Sequence, residues 1–188
     1  MDLQTADILV KIVAGSVTAA TAVFGVLKGL SEWRKATQQR RDELALRQRE
    51  FRHKQAIFGR ELAKEVFADP KSRDALRMLD WLDTSYHDDS DNVLRIRRAD
   101  VQNAMRTVNL TFTDEEVFIR TRFESLYDHF EQMEHLISLN VIDFTDVETA
   151  FRYYVHRAMQ PDIQHLGFLD MYDYPQAKAF LQRFRKKQ

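Results

Sequence analysis

The stretch that decides the fold class runs from residue 113 to 140 and reads TDEEVFIRTRFESLYDHFEQMEHLISLN. Its apolar side chains recur every three or four residues, which is the period of a helix with one buried face. They are Val117, Phe123, Leu126, Tyr127, Phe130, Met133 and Ile137, with Arg120 as an exception on that face. Thr113 followed by Glu116 is a capping-box pattern, in which side chains satisfy the first free amide groups of a helix. We therefore predict one long helix that ends near Asn140.

Further helix starts flank this segment on both sides. Each combines a capping residue, or a proline suited to the first turn, with an apolar pattern of helical period behind it. The starts are Asp69-Pro70, Asp100, Thr145 with Glu148, and Tyr174-Pro175, and Pro161 is expected to end the helix that begins at Thr145. Thr84 to Asn92, TSYHDDSDN, predicts an exposed acidic loop, and Val93 to Arg97 is the only short strand candidate.

The composition points to the same fold class. Five glycines and three prolines in 188 residues are few turn formers and few helix breakers. We predict an all-α fold in which a compact domain of about five helices occupies residues 51–188.

The N-terminal part predicts a membrane anchor. Residues 8–30 read ILVKIVAGSVTAATAVFGVLKGL, with Lys11 and Lys28 as the only charged side chains. About 20 mostly apolar residues cross the hydrocarbon core of a bilayer, and lysines near the ends can extend to the headgroups. A signal peptide is disfavoured because residues 1–7 contain Asp2 and Asp7 but no cation. The run is too uniformly uncharged for an amphipathic surface helix, so the open alternative is a buried core helix.

Charge around this segment predicts its orientation. Ten lysines and arginines but only four acids lie between Lys28 and Arg60, whereas residues 1–7 carry no cation. Positive flanks stay on the cytoplasmic side, so we expect a single-pass protein of the inner membrane with its C-terminal domain in the cytoplasm. The expected membrane-interface residues are Lys11, Lys28, Trp33, Arg34 and Lys35.

Small residues recur along one side of the predicted span, at Gly15, Ala19 and Ala22. Such stripes let helix backbones approach closely in lipid. Homo-oligomerisation through the transmembrane helix is therefore a hypothesis.

Residues 31–50 predict a basic helical stalk after the span. An apolar spacing of seven appears at Leu30, Thr37, Leu44, Phe51 and Phe58, but the companion positions are mostly polar. A stable self-associating coiled coil is therefore not expected. The cations of the stalk could contact anionic lipid.

The sequence contains few signals for catalysis or cofactors. The absence of cysteine removes disulfides and thiolate chemistry. The cluster DHFEQMEH, residues 128–135, has neither zinc-protease spacing nor a di-iron pattern, so we predict no metal site. Phosphate-binding glycine motifs are missing, and the net charge is −1, so we expect no cofactor and no nucleic acid.

A polar cleft near the C-terminus is the one catalytic hypothesis. It would combine His156, His165, Asp162 and Tyr153, since a histidine beside a carboxylate can act as a general base near neutral pH. Nothing in their spacing shows that these groups converge.

The helix pair FESLYDHFEQMEHLISLNVIDFTDVETAFRYYV, Phe123 to Val155, resembles an uncharacterised bacterial family of single-span, membrane-anchored helical proteins. The stretch from Phe58 to Leu82 fits the same resemblance. It implies an anchor, a charged stalk and a helical domain, and it implies no activity.

These observations predict a membrane-tethered helical interaction module, an adaptor or regulatory subunit with an unknown cytoplasmic protein partner. Two alternatives stay open: a membrane-localised enzyme or toxin-like effector that uses the polar cleft, and a soluble helical protein with the N-terminal run buried as core.

Overall fold

The computed structural model describes residues 3–81, 83–88, 90–160 and 164–185, and the side chains of residues 3–27 and 29 lie outside this description. Within it the fold is all-α with one small hairpin, so the predicted fold class is confirmed. The helices are α1 (Leu3–Ala68), α2 (Pro70–Asp80), α3 (Arg98–Ala104), α4 (Asp114–Ser138), α5 (Phe144–Ala158), α6 (His165–Met171) and α7 (Pro175–Arg185). The strands are β1 (Asp83–His87) and β2 (Val93–Arg97).

The chain divides into two compact units, Met1–Arg52 and His53–Gln188. In the first unit, every side chain that is described between Lys28 and Arg52 is exposed except Thr37, which is half-buried. Among the described residues, no helix is both long enough and apolar enough to cross a membrane. The predicted span 8–30 lies outside the described side chains, apart from Lys28 and Leu30. Lys11, Gly15, Ala19 and Ala22 lie outside them as well.

The second unit is built around α4, which packs against α2, α3 and α7. Its apolar face buries the residues that the helical period predicted, apart from Val117, which is half exposed. Aromatic rings fill the centre: the centroid of Phe130 lies 4.8 Å from that of Phe180 and 5.5 Å from that of Phe151. Full burial of one such side chain is worth about 1.5–3 kcal/mol, so this cluster holds α4, α5 and α7 together.

Two of the predicted helix starts are confirmed atom by atom. The Asp69 carboxylate accepts a hydrogen bond of 2.7 Å from the amide of Ser72, with Pro70 at the first helical position of α2. At α4 the amide of Glu116 donates to Thr113 Oγ1 over 3.2 Å, and the amide of Thr113 donates to Glu116 Oε2 over 2.9 Å. Pro175 likewise opens α7.

The capping box predicted at Thr145 with Glu148 is wrong. The helix begins two residues earlier, because Asp143 accepts a hydrogen bond of 2.8 Å from the amide of Thr145 and Asp146 accepts one of 3.2 Å from the amide of Asp143. Glu148 is instead buried and bonded to Arg152. Asp100 does not start its helix either: α3 begins at Arg98, and the Asp100 carboxylate accepts from the amide of Arg97 over 2.8 Å.

The prediction of an exposed acidic loop from Thr84 to Asn92 is wrong for its first part, because Asp83–His87 is a strand. It pairs antiparallel with Val93–Arg97, the predicted strand candidate, so that Tyr86 lies opposite Leu94. Each strand fully buries a single side chain, Tyr86 or Ile96, and this alternation is too short to recognise in a sequence.

The remaining described residues of that stretch, 88 and 90–92, form the predicted loop, which is exposed except at half-buried Asp88. Asp88 stabilises it by accepting hydrogen bonds from the amides of Ser90 and Asn92 over 2.9 and 2.8 Å. Asp91 has a φ of 63°, a left-handed conformation that aspartate tolerates better than most residues.

Candidate functional site

His165, the central residue of the predicted polar cleft, lies in the hydrophobic core. It is the first residue of α6, a short helix that the sequence did not predict, and its side chain is fully buried. Its Nδ1 shares a hydrogen bond with the hydroxyl of Tyr127, and the ring of Phe123 lies 5.0 Å away, centroid to centroid. Nε2 has no hydrogen-bond partner among the described residues.

Burial makes His165 and Tyr127 poor acid–base groups. It lowers the pKa of His165 to about 3, so the imidazole is neutral at any ordinary pH. It raises the pKa of the Tyr127 hydroxyl well above its usual value, so the phenol stays protonated. Because this pair neither titrates near neutral pH nor reaches solvent, it cannot accept a proton from a substrate. Its role is to hold α6 in position against α4.

The other members of the predicted cleft that the structure describes lie elsewhere. Tyr153 and His156 are exposed on α5, and Asp162 lies outside the described residues. The Tyr153 hydroxyl donates a hydrogen bond to Asp80 Oδ1, which raises the pKa of that tyrosine. Within the described parts of the chain, no contact joins Tyr153 to His165, so the structure does not bring these two together.

A serine, histidine and aspartate cluster that the sequence pattern did not predict joins α2 to α4. Asp69 Oδ2 accepts a hydrogen bond from Ser125 Oγ over 2.8 Å, and His129 Nε2 lies 3.9 Å from the same oxygen. Burial alone would raise the pKa of Asp69, but the hydrogen bonds from Ser72 and Ser125 outweigh it and lower that pKa.

The order of groups in this cluster is not that of a hydrolase. A nucleophilic serine hands its proton to a histidine, whereas Ser125 donates to the aspartate that caps α2. The arrangement therefore fixes the start of α2 on α4. Its sequence signal is only that Ser125 and His129 lie four residues apart on a helix.

The acidic segment of α4, residues 128–135, binds α7 through its side chains. The Glu131 carboxylate caps α7 by accepting a hydrogen bond of 2.7 Å from the amide of Ala177. Buried Glu134 forms an ion pair with Arg183 through two contacts of 2.6 Å. No group of three or more histidine and acidic side chains in the described residues is arranged to hold a metal ion.

Arg120, the exception on the apolar face of α4, is buried inside a cage of aromatic rings. Its guanidinium carbon lies 4.0 Å from the centroid of Phe112 and 4.7 Å from those of Phe168 and Tyr172. Nη1 donates a hydrogen bond of 2.6 Å to the carbonyl of Ala104, the last residue of α3. A cation is favoured both over ring faces and at a helix C-terminus, so Arg120 connects α3, α4 and α6.

Large apolar side chains of α1 are uncovered among the described residues of the first unit. They are Leu30, Trp33, Leu44, Leu46 and Phe51, exposed at 49, 66, 60, 57 and 59%. The membrane-interface residues that the structure describes, Lys28, Trp33, Arg34 and Lys35, are all exposed. This segment offers a surface for binding, whereas the predicted catalytic groups that are described are either sealed in the core or scattered over the domain.

Comparison with known protein families, curated proteins and solved structures finds no match to this chain, so the resemblance to a family of membrane-anchored helical proteins stays a prediction.

Proposed function

We propose that the protein is a membrane-tethered interaction module whose helical domain lies in the cytoplasm and acts as an adaptor or regulatory subunit. The observation that carries this proposal is that one chain contains both a compact helical unit, His53–Gln188, and an exposed basic helix, Lys28 to Arg52. Large apolar side chains left in water on a basic helix are typical of a surface that binds something.

The tether is supported by the sequence before this helix. Residues 12–27 carry no charge; Lys11 is the only lysine or arginine before them, whereas ten lysines and arginines lie between Lys28 and Arg60. This asymmetry favours a span with the C-terminal domain inside the cell. Exposed Trp33, Arg34 and Lys35 stand where aromatic and basic residues commonly meet the headgroups.

The polar groups of the second unit have structural roles, and this favours binding over catalysis. His165 is neutral and sealed by the core, Asp69 caps α2, and Glu134 is engaged by Arg183. Each of these three groups has a structural partner that accounts for its position.

Membrane fractionation tests the tether. We expect the full chain to stay in the pellet after alkaline carbonate washing, and a C-terminal tag to be digested by protease only in inside-out vesicles. A chain released into the supernatant would overturn the tether and favour the N-terminal run as a core helix. Replacement of Arg34 and Lys35 by glutamate should raise the fraction of inverted molecules, because it weakens the charge asymmetry.

Purification in a mild detergent tests the interaction. We expect the full chain to elute as a complex with a second protein at defined stoichiometry. A monomer that elutes alone from native membranes would count against an adaptor.

A further inference from the structure

One face of α1 between Leu30 and Phe51 is uncharged and uncovered. Residues 30, 33, 37, 44, 48 and 51 fall within an arc of about 60° on a helix that turns about 100° per residue. Four of them are leucine, tryptophan or phenylalanine, and all four are exposed. We call this set the α1 stripe.

The stripe has two polar members, Thr37 and Gln48, and neither is charged. Thr37 Oγ1 donates a hydrogen bond of 2.8 Å to the carbonyl of Trp33 one turn earlier. Its hydroxyl is therefore satisfied within the helix, and its methyl group remains to contact a partner.

Charges around the stripe are segregated. At about 100° per residue, the positions along both of its edges that carry charge hold cations only. These are Arg40 and Arg47 on one edge and Arg34, Arg41 and Arg52 on the other. The four acids of the segment, Glu32, Asp42, Glu43 and Glu50, all lie more than about 100° from the centre of the stripe.

A bilayer surface does not suit the whole stripe. The predicted span ends at Leu30, and α1 continues from there to Arg52 without a break. Leu44 and Phe51 then lie about 21 and 32 Å further along the helix axis, at 1.5 Å per residue, which is beyond the headgroups for a helix that leaves the membrane.

A second copy of the chain does not suit it either. Two copies in one bilayer run parallel, and a two-stranded coiled coil needs a companion row beside the stripe. One choice of that row contains Arg40 and Arg47, and the other contains Arg34 and Arg41. Either choice brings like charges together, which is destabilising.

We propose that the α1 stripe docks an acidic amphipathic helix of a second protein, with apolar side chains at seven-residue spacing against Leu44 and Phe51 and with carboxylates opposite the flanking arginines. An acidic amphipathic helix would complement both features of this face. Its apolar side chains would cover the apolar row, and its carboxylates would pair with the cations on the two edges. The inference rests on the proposed function, since it names the partner chemistry of the tethered module.

Leu44 and Leu46 provide a matched pair for the test, because both are exposed leucines, at 60 and 57%, and they lie about 160° apart around the helix. The full chain is expressed in its native cells with the photo-crosslinker p-benzoylphenylalanine at one position or the other. We expect position 44 to crosslink to a second protein at least tenfold more than position 46. The crosslinked peptide should have heptad-spaced apolar residues flanked by aspartate or glutamate.

Three results would overturn the inference: equal crosslinking at both positions, a crosslink from position 44 to another copy of the chain or to lipid, and a captured peptide without acidic flanks. A charge test adds an independent measurement. Replacing Arg40 and Arg47 by glutamate should lower the crosslink yield from position 44 at least tenfold, whereas replacing Glu43 and Glu50 by lysine should change it less than twofold. Equal effects of the two double variants would contradict the proposed acidic partner.

Carbonate washing of the same samples separates the two proposals. A variant that stays in the membrane but loses its crosslink shows that the stripe binds the partner. A wild-type chain that leaves the membrane but keeps the crosslink overturns the tether and not the stripe.

Discussion

Glu134 on α4 and Arg183 on α7 form a bidentate ion pair, with both nitrogen–oxygen distances at 2.6 Å, although 49 residues separate them in the chain. The two partners are unequally buried, since the side chain of Glu134 is 7% exposed and that of Arg183 is 39% exposed. The consequence of breaking the pair therefore depends on which side chain is removed.

Replacing Arg183 by methionine leaves a buried carboxylate without its cation. We expect this change to lower the free energy of unfolding by about 3 kcal/mol, whereas Glu134→Gln, which removes the buried charge and keeps the shape, should cost about 1 kcal/mol. Urea unfolding of the full chain in mild detergent, followed by circular dichroism, measures both. Equal losses would mean that the pair behaves as an exposed one.

The buried imidazole of His165 makes stability depend on pH. Its pKa is lowered to about 3 in the folded protein, against 6.5 for an exposed histidine. The unfolded chain therefore binds the proton first, and the contribution of His165 to stability is complete above pH 6.5 and is lost as the pH falls towards 3. Between pH 7 and pH 5 we expect a loss of about 2 kcal/mol in the free energy of unfolding from this residue alone.

The variant His165→Phe isolates that contribution. It keeps an aromatic ring in the core and cannot titrate, so its stability should fall less between pH 7 and pH 5. Tyr127→Phe together with His165→Phe also removes the hydroxyl that would lose its partner. If the wild type and the double variant show the same dependence on pH over this range, the histidine is not buried as neutral imidazole.

The sequence predicted those features that depend on local pattern. The apolar face of α4 and the caps at Asp69 and Thr113 were found because each involves residues within a few positions of one another. The partners of Glu134 and His165 could not be found, since side chains 49 and 38 residues apart meet only after the helices pack. Short α6 was missed because seven residues show barely two turns of periodicity.

The sequence could not place the residues of the predicted polar cleft for the same reason. Histidine, aspartate and tyrosine near the C-terminus suggested a cleft, but sequence spacing cannot tell a histidine in the core from one on a surface. The α1 stripe is different, because both its apolar row and its charges repeat along one helix. Both features can be recognised in the sequence alone, before the exposure of the side chains is known.

The double role of Asp69 predicts an unusually costly cap. Its carboxylate receives the amide of Ser72 and the hydroxyl of Ser125, so Asp69→Ala frees the start of α2 and leaves a half-buried hydroxyl without its acceptor. We expect a loss of about 2–3 kcal/mol in the free energy of unfolding. Asp69→Asn, whose side-chain oxygen can still accept, should lose less.

Asp143→Ala is the comparison for a cap at an exposed position. Asp143 caps α5 from an exposed position, so we expect its loss to cost about 1 kcal/mol. Urea midpoints of the three variants rank these costs. A loss of no more than about 1 kcal/mol for Asp69→Ala would show that the contact with Ser125 contributes nothing.

Gly59 on α1 marks a close approach to α5. A Cβ atom at this position would lie 2.8 Å from the Cβ of Asp146, which cannot move without its backbone. Alanine normally stabilises a helix by about 1 kcal/mol relative to glycine, but here the overlap should exceed that gain. We expect Gly59→Ala to lower the free energy of unfolding by about 1–3 kcal/mol.

Gly167 on α6 supplies the matched substitution, because among the described residues a Cβ there would meet only the methyl group of Thr107, at 3.4 Å. That contact is tolerable, so Gly167→Ala should leave stability unchanged or raise it by up to about 1 kcal/mol through helix propensity. Thermal unfolding of the two variants beside the wild type gives the sign of each effect. A stabilised Gly59→Ala variant would show that α1 and α5 do not pack this closely at residue 59, because an unobstructed alanine can only gain in a helix.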